Sequence, residues 1–205
     1  MGGPACTIML RTPLGDEGRQ QVDAYIDRIG NGRAQMSVGD YEWFEFVPSD
    51  LGRKLGYDVC CWGGFSVENE VEIAIGCEVQ FHDSFGFLPE QNVLLWINCN
   101  RPRDHEILGH MAVDVAEMFD GVVDFGGNLW PPLPAQFGRS FDKAMKRAKW
   151  VEDLEPAFQE MIHGMPGKIV GLTPERCDGY SWPSHYADAT FIRAWLKHPR
   201  FYMIK

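Results

Sequence analysis

The stretch NVLLWINC at 92–99 is apolar almost throughout. A strand with one wet face alternates apolar and polar residues, so an unbroken run predicts a strand covered on both faces. The clearest helix in the chain follows it. Over Asp104–Phe119, the residues Ile107, Leu108, Met111, Val115, Met118 and Phe119 share one face, with His110, Asp114 and Glu117 on the other. Asp120-Gly121 stops that helix. A doubly covered strand beside a long amphipathic helix requires a chain that can close a substantial core. The 205 residues, 45% hydrophobic and 13% aromatic, satisfy that for one domain spanning 1–205. Any subdivision falls in the loop 126–138.

The other elements are read from periodicity. CTIMLR (6–11) reads as a first strand, and Asp16–Ile29 as a helix with Val22, Tyr25, Ile26 and Ile29 on one stripe. Gly30-Asn31-Gly32 closes it. Ala34–Val38 and Tyr41–Val47 form a hairpin around Gly39-Asp40. Ser49 caps a short helix through Leu55. The stretch 56–69 has no clear period, and Gly63-Gly64 reads as a turn. Val71–Phe81 alternates at Val71, Ile73, Ile75 and Cys77 and reads as a strand. After a short strand at Val122–Phe125 come helices at Asp142–Trp150 and Leu154–His163 and a strand at Lys168–Leu172. Pro174–Pro183 is irregular. A helix at Asp188–Leu196 and a strand at Phe201–Ile204 complete the chain. Strand pairs alternating with single helices predict an α+β fold: a mostly antiparallel or mixed sheet with helices packed mainly on one face.

Charge is the strongest functional signal. The net charge is −10, and residues 40–90 hold 11 acids against 2 bases. An acidic chain argues against nucleic-acid binding, which needs a basic surface. No apolar run reaches the ~18 residues of a membrane helix, and the start MGGPACTIMLRTPLG has no basic and apolar leader, so a cytoplasmic protein is expected. Glu68, Glu70 and Glu72 alternate and would share one strand face, with Glu78 and Asp83 further on. Acids of this kind serve solubility, or they form a docking surface for a basic partner. Solubility is the commoner reading of such acids, and their concentration in one segment is what raises the second.

Catalytic and metal patterns are sparse. His105 and His110 are five apart and diverge on a helix, one residue too far for a zinc pair at i, i+4. Gly126-Gly127 lacks the third glycine of a phosphate loop. Glu117, Asp120 and Asp124 are a candidate carboxylate group, and Cys60-Cys61-Trp62 a candidate thiol with no base close in sequence. Neither metal nor cofactor is expected. The six cysteines, in a chain without an export leader, are expected to be free thiols. The loop Gly126–Gly138 places Trp130 among prolines, either as a plug at the edge of the core or as an exposed anchor for a partner.

The blocks DHEILGHMAVDVAEMFDGVVDFGGNL (104–129) and DATFIRAWLKHPRFYMIK (188–205) resemble a family of small bacterial proteins of unknown function that look like immunity proteins. Such proteins are encoded beside polymorphic toxins, including those delivered by contact-dependent or type VI secretion. The resemblance implies tight binding of a cognate toxin protein, with no chemistry of its own. Joined to the charge pattern, it gives the expected function: occlusion of a basic nuclease or ADP-ribosyltransferase-type toxin in the cytoplasm, with Glu68, Glu70, Glu72, Glu78, Asp83 and Trp130 as partner-binding residues. The alternatives are a small enzyme with a carboxylate or cysteine site, and an acidic adaptor without a toxin partner.

Overall fold

A computed structural model describes residues 3–38, 41–59, 61–71, 73, 76–131, 154–173 and 183–203. Among these, eight strands form one sheet: β1 Ala5–Leu10, β2 Asn31–Val38, β3 Tyr41–Val47, β4 Gly63–Glu68, β5 Gln91–Ile97, β6 Val122–Asp124, β7 Ile169–Leu172 and β8 Ser184–Ala187. Their order is β2-β3-β4-β5-β1-β6-β8-β7. Every neighbouring pair is antiparallel. Six helices accompany them: α1 Asp16–Ile29, α2 Ser49–Lys54, α3 Glu78–Phe85, α4 Pro102–Phe119, α5 Glu155–Ile162 and α6 Ala189–Trp195. The fold is α+β, as the alternation of elements predicts.

The two faces of the sheet are covered unequally. Cys6, Ile8 and Leu10 of β1 and Val93, Leu95 and Ile97 of β5 point into the main core. There they meet α1 through Val22, Tyr25, Ile26 and Ile29, and α4 through Ile107, Leu108, Met111 and Val115. Phe158 of α5 and Phe191, Ile192 and Trp195 of α6 complete this layer. Among the described residues, the opposite face is covered over one half only. Met9, Val122, Leu172 and Tyr186 pack there against Cys77, Phe81 and Phe87, around α3.

Local chemistry explains several boundaries. Pro102 opens α4, where a missing backbone N–H costs nothing. The backbone N–H of Arg101 donates to Asp104 Oδ2 at 2.7 Å, and the Arg101 guanidinium reaches both oxygens of the same buried carboxylate. Gly109 is required by close approach: a Cβ there would lie 2.7 Å from the Phe201 ring, which crosses α4. The Asp188 side chain caps α6, accepting from the Phe191 N–H at 2.7 Å.

Several expectations are corrected. Val71–Phe81 is not a strand. Val71 and Ile73 pack beside the second core without ladder partners, and Glu78–Phe85 is α3, with Phe81 fully buried. Gly63-Gly64 is not a turn but the start of β4, because Cβ atoms at these positions would strike Ile97 and Trp96 of β5. β8, read as irregular up to Pro183, is a short strand around the buried His185. Phe201–Met203 is not a strand. The Met203 N–H donates to His105 Nδ1 at 3.0 Å, and the Trp195 indole N–H donates to the Tyr202 carbonyl at 3.1 Å. The hairpin residues Gly39-Asp40, the helix Asp142–Trp150 and the outer part of the 126–138 loop lie outside the described residues.

The cysteines are also corrected. Cys61 and Cys99 form a disulfide, with Cα atoms 6.1 Å apart, while Cys6 and Cys77 are free and buried. Antiparallel register explains the pairing. Gly63 faces Ile97, and the Asn98 N–H donates to the Trp62 carbonyl at 2.8 Å, so continuing the ladder brings Cys61 opposite Cys99. Cys60 and Cys177 lie outside the described residues. Thiol titration of the denatured, unreduced protein should therefore give no more than four. In the chain-entropy account, closing a loop of 38 residues stabilises by about 3–4 kcal/mol. Cys99→Ser should lower the unfolding free energy by that order, read from urea melts.

Candidate functional site

The uncovered half of the sheet is built from β3, β4 and β5. Register places its side chains in rows. Glu68 faces Asn92 across β4 and β5, Ser66 faces Leu94, and Leu94 faces Thr7 of β1, which in turn faces Asp124 of β6. A cleft of about 720 Å³ opens over these rows, lined by Thr7, Ser66, Glu68, Glu70, Asn92 and Asp124, with Tyr41 and Glu42 at the β3 side. A second depression of about 340 Å³ adjoins it, walled by Tyr41, Trp43, Leu94 and Trp96. The two share Tyr41, Glu42, Ser66 and Glu68, so one continuous surface is acidic at one end and aromatic at the other.

The aromatic end depends on a glycine. A Cβ on Gly64 would lie 2.2 Å from Trp96 Cζ2, so the bare backbone of β4 is what lets the Trp96 indole lie across it. Tyr41, Trp43, Leu94 and Trp96 belong to neither core cluster among the described residues. Tyr41 is 69% exposed, and Leu94 and Trp96 are half-buried. The Asn92–Cys99 run is thus covered fully on one face only, which corrects the expectation of cover on both.

The acidic end lacks compensation. Glu42, Glu68, Glu70 and Asp124 line the cleft, and among the described residues no Lys or Arg does. Glu68 accepts from the Ser66 hydroxyl at 3.1 Å, and Asp124 Oδ1 accepts from the Gly126 N–H at 2.8 Å. Asn92 is 5% exposed. Its Nδ2 donates to the Glu70 carbonyl at 3.2 Å, and its Oδ1, fully buried, has no partner. Burial pushes the Asp124 carboxyl up to about 6, a shift that the Gly126 hydrogen bond only partly opposes.

The expected site residues divide. Glu68 and Glu70 line the cleft, although only Glu68 belongs to a strand. Glu72 lies outside the described residues. Glu78 and Asp83 are exposed on α3, over the covered half of the same face. Trp130 is half-buried against the main core, and its N–H donates to the Tyr202 hydroxyl. Glu42, Trp43, Asn92, Trp96 and Asp124 were not among the expected binding residues. Asn92 and Trp96 sat inside the apolar run, where the strand's second face was the only clue.

Other groups are less suited to a ligand. Glu117 pairs with Arg193 at 2.5 Å and Asp120 is an exposed left-handed cap, so neither joins Asp124. Cys61, Cys99 and Asp104 offer ligand atoms within 4.8 Å of one another, but the sulfurs are bonded to each other and the Arg101 guanidinium lies 2.6 Å from Cys61 Sγ. A fixed cation there opposes a metal ion. A depression of about 410 Å³ between α1, α2 and α4 is lined by Arg28 and Lys54 as well as Asp50, Asp114 and Glu117, so its acids have cations beside them.

Among families of related chains, the model of DUF6368, described as a family of unknown function, matches residues 2–205, and the chain belongs to that family. Comparison with curated proteins and with solved structures gives no match.

Asp124 generates a pH prediction. Its folded pKa lies above its ordinary 3.8, so the folded state holds the proton more tightly, and stability from this group is lost as pH rises from about 4 through 6. Asp124→Asn keeps an acceptor for Gly126 but removes the charge. The variant's stability relative to wild type should rise across that window and level off above it, as measured by urea unfolding at each pH.

Proposed function

We propose that this member of DUF6368 is an immunity protein that binds a cognate bacterial toxin domain, a basic nuclease or ADP-ribosyltransferase-type effector, and occludes it. The observation that carries this reading is the open β3-β4-β5 face, with four carboxylates, an aromatic end and no base lining it among the described residues. Aromatic side chains supply large contact area at small entropic cost, and a surrounding field of one sign speeds the encounter with a basic partner. The resemblance of residues 104–129 and 188–205 to immunity proteins supplies the class of partner. The enzyme reading draws on the raised pKa of Asp124, which suits a general acid. No His, Cys or Lys lines that cleft to complete a pair, so binding is the better reading.

The test is co-expression with the product of the neighbouring gene. That product should arrest growth alone and lose its toxicity when this protein is present. Failure of neutralisation overturns the reading. In purified form, the triple variant Glu42→Lys, Glu68→Lys, Glu70→Lys should associate with the toxin roughly ten- to a hundredfold more slowly at low salt, and added salt should shrink the difference. Reversing Glu78 and Asp83 on α3 should have a smaller effect. Equal rates for wild type and the triple variant, both folded, would place the contact elsewhere.

A further inference from the structure

The cleft and the groove beside it differ in chemistry, and together they describe an occupant. At the cleft floor, Asn92 is 5% exposed and its Oδ1 accepts no hydrogen bond. An occupant must therefore bring an N–H donor. Directly across the ladder stands Glu68, and Glu70 and Glu42 line the same cleft. The occupant must therefore be cationic. Tyr41, Trp43 and Trp96 wall the adjoining groove, whose one other apolar member is Leu94. The occupant must therefore present a face or stem that packs on rings. A carboxylate partner is excluded by charge, and a neutral apolar one leaves Asn92 and the acids without partners.

We infer that this cleft receives an arginine side chain of a basic partner protein, its N–H fork directed at Glu68 and the Asn92 amide oxygen and its planar face against the Trp43–Trp96 wall. The inference rests on reading the open face as the partner-docking surface and names what enters it. Arginine fits better than lysine for three reasons. Its guanidinium carries five donors in a fixed fork, which serve a carboxylate and an amide oxygen at once. It stacks on aromatic rings. It is also less strongly hydrated than an ammonium group, so it loses less on leaving water. Asp124 stands at the far end of the same cleft, two strands beyond Asn92. It offers a second acceptor for a neighbouring basic residue of the same segment.

The experiment uses the isolated full chain and needs no toxin. The blocked peptide acetyl-Gly-Arg-Gly-amide is titrated into isotope-labelled protein. The side-chain amide of Asn92 and the indole N–H groups of Trp43 and Trp96 are followed by NMR. The lysine peptide and spermidine serve as comparisons. The expected result is saturable movement of these three side chains by the arginine peptide, with several-fold weaker binding of the lysine peptide and of spermidine. Glu68→Gln, a half-buried position whose replacement keeps an acceptor for Ser66, should weaken arginine binding about tenfold, with the rest of the spectrum unchanged. Asn92→Leu should do the same. Should it fail to fold, the Glu68→Gln result decides. The inference is overturned if the three side chains do not move, if lysine or spermidine binds equally well, or if Glu68→Gln has no effect. Toxin neutralisation without peptide binding sinks the arginine site and leaves the immunity reading standing. Peptide binding without neutralisation does the reverse.

Discussion

The register of β4 on β5 sets the open face. With Gly63 opposite Ile97, every second residue follows: Phe65 meets Leu95 on the core side, while Glu68 meets Asn92 and Ser66 meets Leu94 on the other. A slip of one residue would send Phe65 to the open side and Glu68 into the core. Two features hold the register. Phe65 is 2% exposed, with its ring stacked at 5.0 Å on Phe44 of β3, so slippage would expose a large aromatic side chain at a cost of about 1.5–3 kcal/mol. The Cys61–Cys99 disulfide pins the same ladder at its end. The acid and amide pairing of the cleft is thus a by-product of core packing on the reverse side.

That packing leaves the open face under-satisfied. A buried acceptor without a partner costs about 1–3 kcal/mol, and Asn92 Oδ1 is in that position. Asp124 is held where its charge is disfavoured. Beneath the helices several polar groups are matched, although Arg103 Nε of α4 is also a buried atom without a hydrogen-bond partner. Asp104 is fully buried but takes both the Arg101 guanidinium and the Arg101 N–H. The Tyr25 hydroxyl donates to Asp114 at 3.1 Å, and the buried His185 accepts from the Leu129 N–H at 2.9 Å. Burial holds His185 near 3, hence neutral, which suits that acceptor role.

Helices were the legible part of the fold. The stripes of α1 and α4 are long enough for a period of 3.6 to show, and both elements fall close to where the sequence puts them. Strands were legible where a short apolar or β-rich run was bounded by turn residues, as in β1, β2, β3, β5, β6 and β7. β4 was hidden because its two glycines serve contacts with β5 that lie some thirty residues ahead. The false strand at 71–81 shows the converse. Period-two alternation records which residues face apolar surroundings, and Val71 and Ile73 meet the second core without belonging to a strand. The disulfide was invisible for the reason that β4 was: the pairing of Cys61 with Cys99 is a statement about register.

The candidate site was half legible for a related reason. Acid density in 40–90 located Glu68 and Glu70 correctly on one surface, but it gave equal weight to Glu78 and Asp83, which α3 carries away from the cleft. The stronger signal lay in the run 92–99, read as a strand in need of two covers. Val93, Leu95 and Ile97 have theirs, being essentially fully buried. Leu94 and Trp96 remain half-buried above a glycine that admits the indole and nothing larger. An apolar surplus on the second face of a central strand, beside acids that lack cations, is costly for a free monomer in water. The same surplus is what an interface core requires, where aromatic side chains are enriched and charges sit at the rim. The sequence therefore held the position of the site in its hydrophobic pattern, and the chemistry of the site in its charge.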